Sequence, residues 1–421
     1  MRSVPLFTFF VLFCVTAVGQ QAYSDSTWCD EVRTTELYRD GIAGEQPLLT
    51  MDAYGTGNQH LMLCFDILEE EPQDLRLRFI HCDRNWSADG LESYEFYNGF
   101  EELRVDDYRS SFTTLQPYIH YSVRFPDNYS QFTASGNYVV LVYNADTPDR
   151  ILLTRRFRVD ESLIRISLHM ERATTAQSLS EGQEVSVTLE GVRQGAVGAE
   201  ALMRTEYLHP WLQQNGRIDN MRELKEGSYV GGKIVYRWHP ENVFDGGNTF
   251  RYFDISNLRS PIYNILKVEC YGGETHVLIR PEEDRSRKAY TGDQVLLGGM
   301  KVNVWDRRDV QVEADYAQVL LTLPMDRPLL GGSIHVVGAL TEWRLDEKSR
   351  MQWNAQFKTY TLRLLLKQGY YAYQLLYLPA DSSQGQTSLL EGNHSETLNR
   401  YRLYLYCRQP GDRYDRLIGT Y

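Results

Sequence analysis

Residues 75–125 read LRLRFIHCDRNWSADGLESYEFYNGFEELRVDDYRSSFTTLQPYIHYSVRF. Leu75, Leu77 and Phe79 alternate with Arg76 and Arg78, the period of two that a half-buried strand requires. At the other end Ile119, Tyr121, Val123 and Phe125 alternate with Tyr118, His120, Ser122 and Arg124 in the same way. Between them, residues 83–117 form an excursion carrying Trp86, Tyr94, Phe96, Tyr97, Phe100, Tyr108 and Phe112. A connection this long is uncommon in a compact domain unless it is functional or disordered. Its aromatic content argues against disorder.

Working outward, residues 46–159 give further strands, LMLCFDIL, GNYVVLVY and ILLTRRFRV, each bounded by Gly, Pro, Asp or Asn. Strands at this spacing predict a β-sandwich. SGNYVVLVYNADTPDRILLTRRFRV reads as the hairpin that closes it. After Asp160-Glu161-Ser162 a second unit begins, with LIRISLHM, EVSVTLEGV, IVYRWHP, FRYFDI, YNILKVEC and HVLIR as its strands. A third starts near Lys301 and ends with YRLYLYC as its final strand. Within it, Tyr360, Leu362, Leu364 and Leu366 share one face, and Tyr371, Tyr373, Leu375 and Tyr377 alternate after Gly369. The expected fold is all-β, three consecutive immunoglobulin-like β-sandwich domains. The expected division is a signal peptide over 1–19, a first sandwich over 20–160, a middle one over 161–300 and a last one over 301–421.

The signal peptide rests on Arg2, the short apolar run LFTFFVLFCVTAV and the small residues before Gln20. That run is too short to span a bilayer, and no other run approaches the necessary length. A soluble, exported chain is therefore expected. A net charge of −12 makes nucleic acid an unsuitable partner. The 29 tyrosines, with few helical patterns, favour strands. Five cysteines follow the signal peptide, so at least one is unpaired; Cys64 and Cys82 form one conceivable bridge, and buried free thiols are the other reading.

Few residues suggest chemistry. His81, Cys82 and Asp83 adjoin, but on a strand His81 and Asp83 share one face while Cys82 points to the other. No second His/Cys cluster completes a metal site. Acidic clusters such as Glu69-Glu70-Glu71 sit in polar loops, and no nucleophile elbow, phosphate loop, zinc-protease or dinucleotide motif occurs. No catalytic residue, metal or cofactor is expected. The aromatic excursion instead has the composition of a protein interface, which makes Trp86, Tyr94, Phe96, Tyr97 and Phe100 the candidate partner contacts. The alternative is a loop packed on its own sandwich to cover an edge.

Two resemblances follow. Residues 332–378, with Trp343 and a late Tyr-rich strand, are similar to early-set immunoglobulin-like modules found beside starch- and glycogen-acting enzymes. Under that reading Trp343 and Trp353 would stack on sugar, and the chain would be a glycan-binding or accessory module of a polysaccharide system. More extensively, FIHCDRNW, YNGFEE, DYRSSFTTLQPYIHY, QNGRIDN, GGNTFRYFDI, EGNHSET and YCRQPGDRYDRLIG, in that order, resemble the type IX secretion plug proteins of Bacteroidetes. That resemblance implies a non-catalytic periplasmic protein, monomeric when free, on the inner face of the outer membrane. It would bind the periplasmic mouth of the outer-membrane translocon β-barrel and close it while no substrate is engaged.

Overall fold

The computed structural model describes residues 22–42, 44–52, 54–173, 179–196, 199–260, 262–290, 292 and 296–421. The expected signal peptide lies outside them. The chain is almost entirely strand, as the alternating patterns demand; the described α-helices are single turns at Ser93–Phe96 and Val310–Glu313.

The first sandwich packs two sheets. One runs Ser26–Thr27, Thr147–Asp160, Gly136–Asn144, Leu75–Cys82 and Glu102–Arg104, with Leu48–Thr50 also pairing with Thr147–Asp160. The other runs Val32–Arg39, Leu61–Ile67, Ile119–Phe125 and Asp107–Ser110. Leu75, Leu77 and Phe79 face Ile119, Tyr121 and Phe125 across one core. The long excursion supplies the last strand of both sheets: Leu103 pairs with Leu77, and Tyr108 with Tyr121. It therefore covers two open edges at once, which answers the edge-strand problem.

The second sandwich sets Ile164–Arg172, Gly182–Val192, Lys233–Tyr236 and Ser228–Val230 against a sheet ordered Arg222–Glu223, Leu208–Gln214, Tyr401–Cys407 and Arg416–Thr420. The third sets a sheet built on Gly369–Pro379 against one ordered Ile265–Tyr271, Glu274–Ile279, Tyr316–Pro324, Thr359–Lys367 and Gln352–Asn354. Strand pairing thus departs from the expected division in two places. FRYFDI lies against Gly369–Pro379, and the hairpin 265–279 joins the third unit, not the second. YRLYLYC, read as the third unit's closing strand, pairs throughout with Leu208–Gln214 of the second. Alternation fixes which face of a strand is buried but not its partner, and closing a longer loop costs little extra entropy.

Each sandwich is tied to both others. First to third, the end of the excursion docks by main chain: Phe112 N–H donates to Val312 O at 2.8 Å, and Leu115 N–H to Asp315 at 2.7 Å. Beneath it, buried Asp66 accepts from Lys367 and Tyr316, each at 2.6 Å, and is 2.7 Å from His120 Nδ1. First to second, Arg84 reaches Asp415 at 3.0 Å and Tyr406 O–H donates to Asn137 at 2.7 Å. Second to third, the connection 380–400 is the tie. Buried Glu391 accepts from Leu375 N–H at 2.7 Å and from Arg251 and Arg285 at 2.9 Å, while Gln183 donates to Thr397 O at 2.6 Å. Burial raises the Glu391 carboxyl, but the two guanidinium groups outweigh it and hold it below the usual range. The three sandwiches thus brace one another pairwise.

Candidate docking surface

The candidate contacts of the excursion separate by burial. Trp86, Phe96 and Tyr97 are core residues. Arg156 and Arg158 lie over the Trp86 ring at 4.6 and 4.7 Å from its centroid. Phe96 packs on His81 and Tyr138, and Tyr97 on Phe79 and Phe132. These three build the sandwich and are unavailable to a partner in the folded protein. Tyr94 and Phe100, by contrast, are 81 % and 78 % exposed.

The local fold explains the split. Glu92 N–H donates to the Glu95 carboxylate at 3.0 Å, closing the turn Ser93–Phe96. That turn directs Phe96 inward and leaves Tyr94 outside. Tyr97–Asn98 then pairs with Gln131–Phe132, and Tyr97 O–H donates to Ser130 at 2.8 Å. A Cβ on Gly99 would lie 2.6 Å from Ser130 Cβ, so only glycine lets these two loops approach. Residues 54–57 join them: Thr56 N–H donates to Phe132 O, and Phe132 N–H to Thr56 Oγ1, both at 3.2 Å.

Three loops are thus laced together, and each carries an aromatic beside the lacing residue. Tyr54 is 84 % exposed and Tyr129 95 %. With Tyr94 and Phe100, they are the exposed aromatics carried by these three loops. Tyr54 and Tyr129 were not singled out in the sequence. The only signal there was that both sit in turn sequences, DAYGTG and PDNYS, where no alternation assigns an aromatic to the core. One ion pair fixes the surface to the second unit, Arg413 with Glu95. The Glu92 main chain and then Arg413 hold the Glu95 carboxyl below its usual range.

The remaining candidates are structural. His81 is buried between Asp89 at 2.6 Å and Ser135 O at 3.0 Å, so both ring nitrogens are engaged. Cys82 lies on the opposite face against Trp86, and burial pushes its thiol well up. The five cysteines of the described residues are all free, four of them buried, so Cys64 and Cys82 are not bridged. Among the described residues no group of three or more His, Cys, Asp or Glu is placed to hold a metal ion. Trp343 is half-buried against Phe250, with Gly216 of the second unit beside its ring, and Trp353 is half-buried against Tyr360.

Residues 32–161 match the family model of the type 9 secretion system plug protein 1st domain. A crystal structure of a hypothetical protein from Parabacteroides merdae is 30 % identical, covers 96 % of this chain and 99 % of its own, and superposes with a TM-score of 0.89. The chain belongs to the type 9 secretion system plug protein family. The plug-family domain is the sandwich that carries Tyr54, Tyr94, Phe100 and Tyr129. Escherichia coli alpha-2-macroglobulin activated by porcine elastase also aligns, at 11 % identity over 92 % of this chain and 30 % of that one; its TM-score of 0.19 carries no argument for the plug family. No curated protein matches. No helix among the described residues is long and apolar enough to cross a membrane.

Proposed function

We propose that this protein is a non-catalytic periplasmic plug. It binds the periplasmic mouth of the type IX outer-membrane translocon barrel and closes it while no substrate is engaged. One observation carries the reading: the domain that matches the plug family is the one whose laced loops present four exposed aromatics. Two properties support it. The three sandwiches are braced pairwise, and close-packed interiors are nearly incompressible, so the body resists deformation in a wide lumen. Large rigid aromatics also gain much contact area for little lost side-chain freedom, which suits a reversible grip.

The test is retention of a very large β-barrel protein from detergent-solubilised outer membranes by the tagged chain. The quadruple variant Tyr54→Ser, Tyr94→Ser, Phe100→Ser, Tyr129→Ser should keep its melting temperature and lose the barrel. Retention by that variant would move the contact face away from these loops. Failure of the unaltered protein to retain any barrel would overturn the plug reading itself.

A further inference from the structure

The strand Thr359–Lys367 is paired along its whole length with Tyr316–Pro324 on one side. On the other it is paired only at Thr359–Thr361, by Gln352–Asn354. At Met351 that neighbour turns away, its N–H donating to Ile334 O at 2.8 Å in the opposite sheet. The edge from Leu362 onward is open. Register identifies its free groups. Met325 N–H donates to Lys358 O at 3.0 Å, and in an antiparallel ladder the bonded positions recur every second residue. Even-numbered residues therefore bond to Tyr316–Pro324. Arg363 and Leu365 turn their N–H and C=O to the open side, where no described residue pairs with them. Lys367 differs, because its carbonyl accepts from Tyr371 O–H.

This edge does not face open solvent. It forms one wall of a cleft of about 370 Å³, closed by Val32–Thr35 of the first sandwich and by the loop 339–348. That volume is in the range of ligand-binding clefts. Val32–Arg39 is itself the end strand of its sheet, with a bulge between Arg33 and Glu36, where the buried Thr35 hydroxyl has no hydrogen-bond partner. Charges around the cleft are unbalanced. Lys348 pairs with Asp30, Glu342 with Arg155, Arg344 with Asp346 and Glu347 with Arg350. Arg33 and Arg363 line the same cleft and have no acidic partner among the described residues.

We propose that this cleft takes an extended acidic segment of another polypeptide, added as a strand along Arg363–Leu365 with carboxylates toward Arg33 and Arg363. Main-chain bonds to an open edge supply affinity in this mode, and alternate side chains supply selectivity. The cleft lies between the first and third sandwiches, on elements other than the aromatic loops, so it stands or falls independently of barrel binding.

The test uses the whole folded protein and a fluorescein-labelled octapeptide of alternating glutamate and valine. Saturable anisotropy is expected, with amide exchange slowed at Arg363 and Leu365. The variant Arg33→Glu, Arg363→Glu should bind at least tenfold more weakly with its circular dichroism unchanged. The same peptide N-methylated at alternate amides, which cannot form the ladder, should not bind to the unaltered protein. Absence of saturable binding overturns the proposal. So does binding that leaves the Arg363 and Leu365 amides unprotected, or that tolerates N-methylation.

Discussion

Replacing Asp66 with alanine removes one carboxylate that Lys367 and Tyr316 of the third sandwich share with His120 of the first. Lys367 is buried, and without Asp66 its ammonium keeps the Gln311 carbonyl at 2.7 Å, the Tyr118 and Tyr316 rings at 4.2 and 5.9 Å, and the attraction of Glu36, but no carboxylate in direct contact. Burial already holds the Lys367 pKa below its usual value, with Asp66 as the opposing attraction. A buried charge that loses its direct ion-pair partner costs about 3–5 kcal/mol. Lys367→Met alone leaves the carboxylate its Tyr316 and His120 partners, and a smaller loss of about 1–3 kcal/mol is expected. The double variant carries neither buried charge, so it should be more stable than Asp66→Ala alone by at least about 2 kcal/mol. The assay is urea unfolding followed by tryptophan fluorescence and by far-ultraviolet circular dichroism. In the unaltered protein the mutual bracing predicts coincident transitions, which permits a free energy to be read. In Asp66→Ala the two probes should separate as the first and third sandwiches uncouple. An Asp66→Ala midpoint close to that of the unaltered protein would refute the reasoning, as would losses that add to within about 0.5 kcal/mol.

Burial pushes the Glu36 carboxyl up to about 7 and that of Asp160 to about 6. A carboxyl whose folded pKa is raised stabilises fully below its unfolded value, and the contribution is lost as pH rises through the folded one. Glu36→Gln should therefore melt higher than the unaltered protein at pH 7, with the gap closing towards pH 4; a gap independent of pH would contradict this. Glu391→Gln leaves Arg285 without its counter-charge and Arg251 with Glu282 alone, and a loss of about 3 kcal/mol with faster proteolysis within residues 380–400 is expected. A Cβ on Gly246 would lie 2.0 Å from His394 O, so Gly246→Ala should cost about 1–3 kcal/mol in a thermal melt. Gly299→Ala, whose Cβ meets only Leu296 Cβ at 3.9 Å among the described residues, serves as its near-neutral control.

What the sequence made legible was local. The alternation at Leu75–Phe79 and Ile119–Phe125 gave strands, faces and a shared core, because a half-buried sheet forces period two on its residues. Pairing between distant segments was not legible. YRLYLYC carries the same alternation whether it pairs with Gly369–Pro379 or with Leu208–Gln214, and only packing of the whole chain decides. The excursion was legible in composition but not residue by residue. A four-residue turn sends Phe96 inward and Tyr94 outward, and no periodicity in so short an element distinguishes them. QNGRIDN and EGNHSET entered only as part of the family resemblance, with no role assigned to their residues. Arg217 pairs with Asp219 and donates to Gly385 O at 2.7 Å, and Glu391 sits at the heart of a junction. Buried polar ties of this sort lack an apolar pattern, so they read as loops.

The second sandwich holds strands from both ends of the region it encloses, with the third sandwich threaded between Leu208–Gln214 and Tyr401–Cys407. The second core is therefore complete only when both segments, which flank the third sandwich in sequence, have come together. Arg416–Thr420 then completes the sheet, while Asp415, just before it, engages Arg84 of the first sandwich. A chain cut short before residue 401 lacks two strands of one core and the Tyr406 and Asp415 contacts to another.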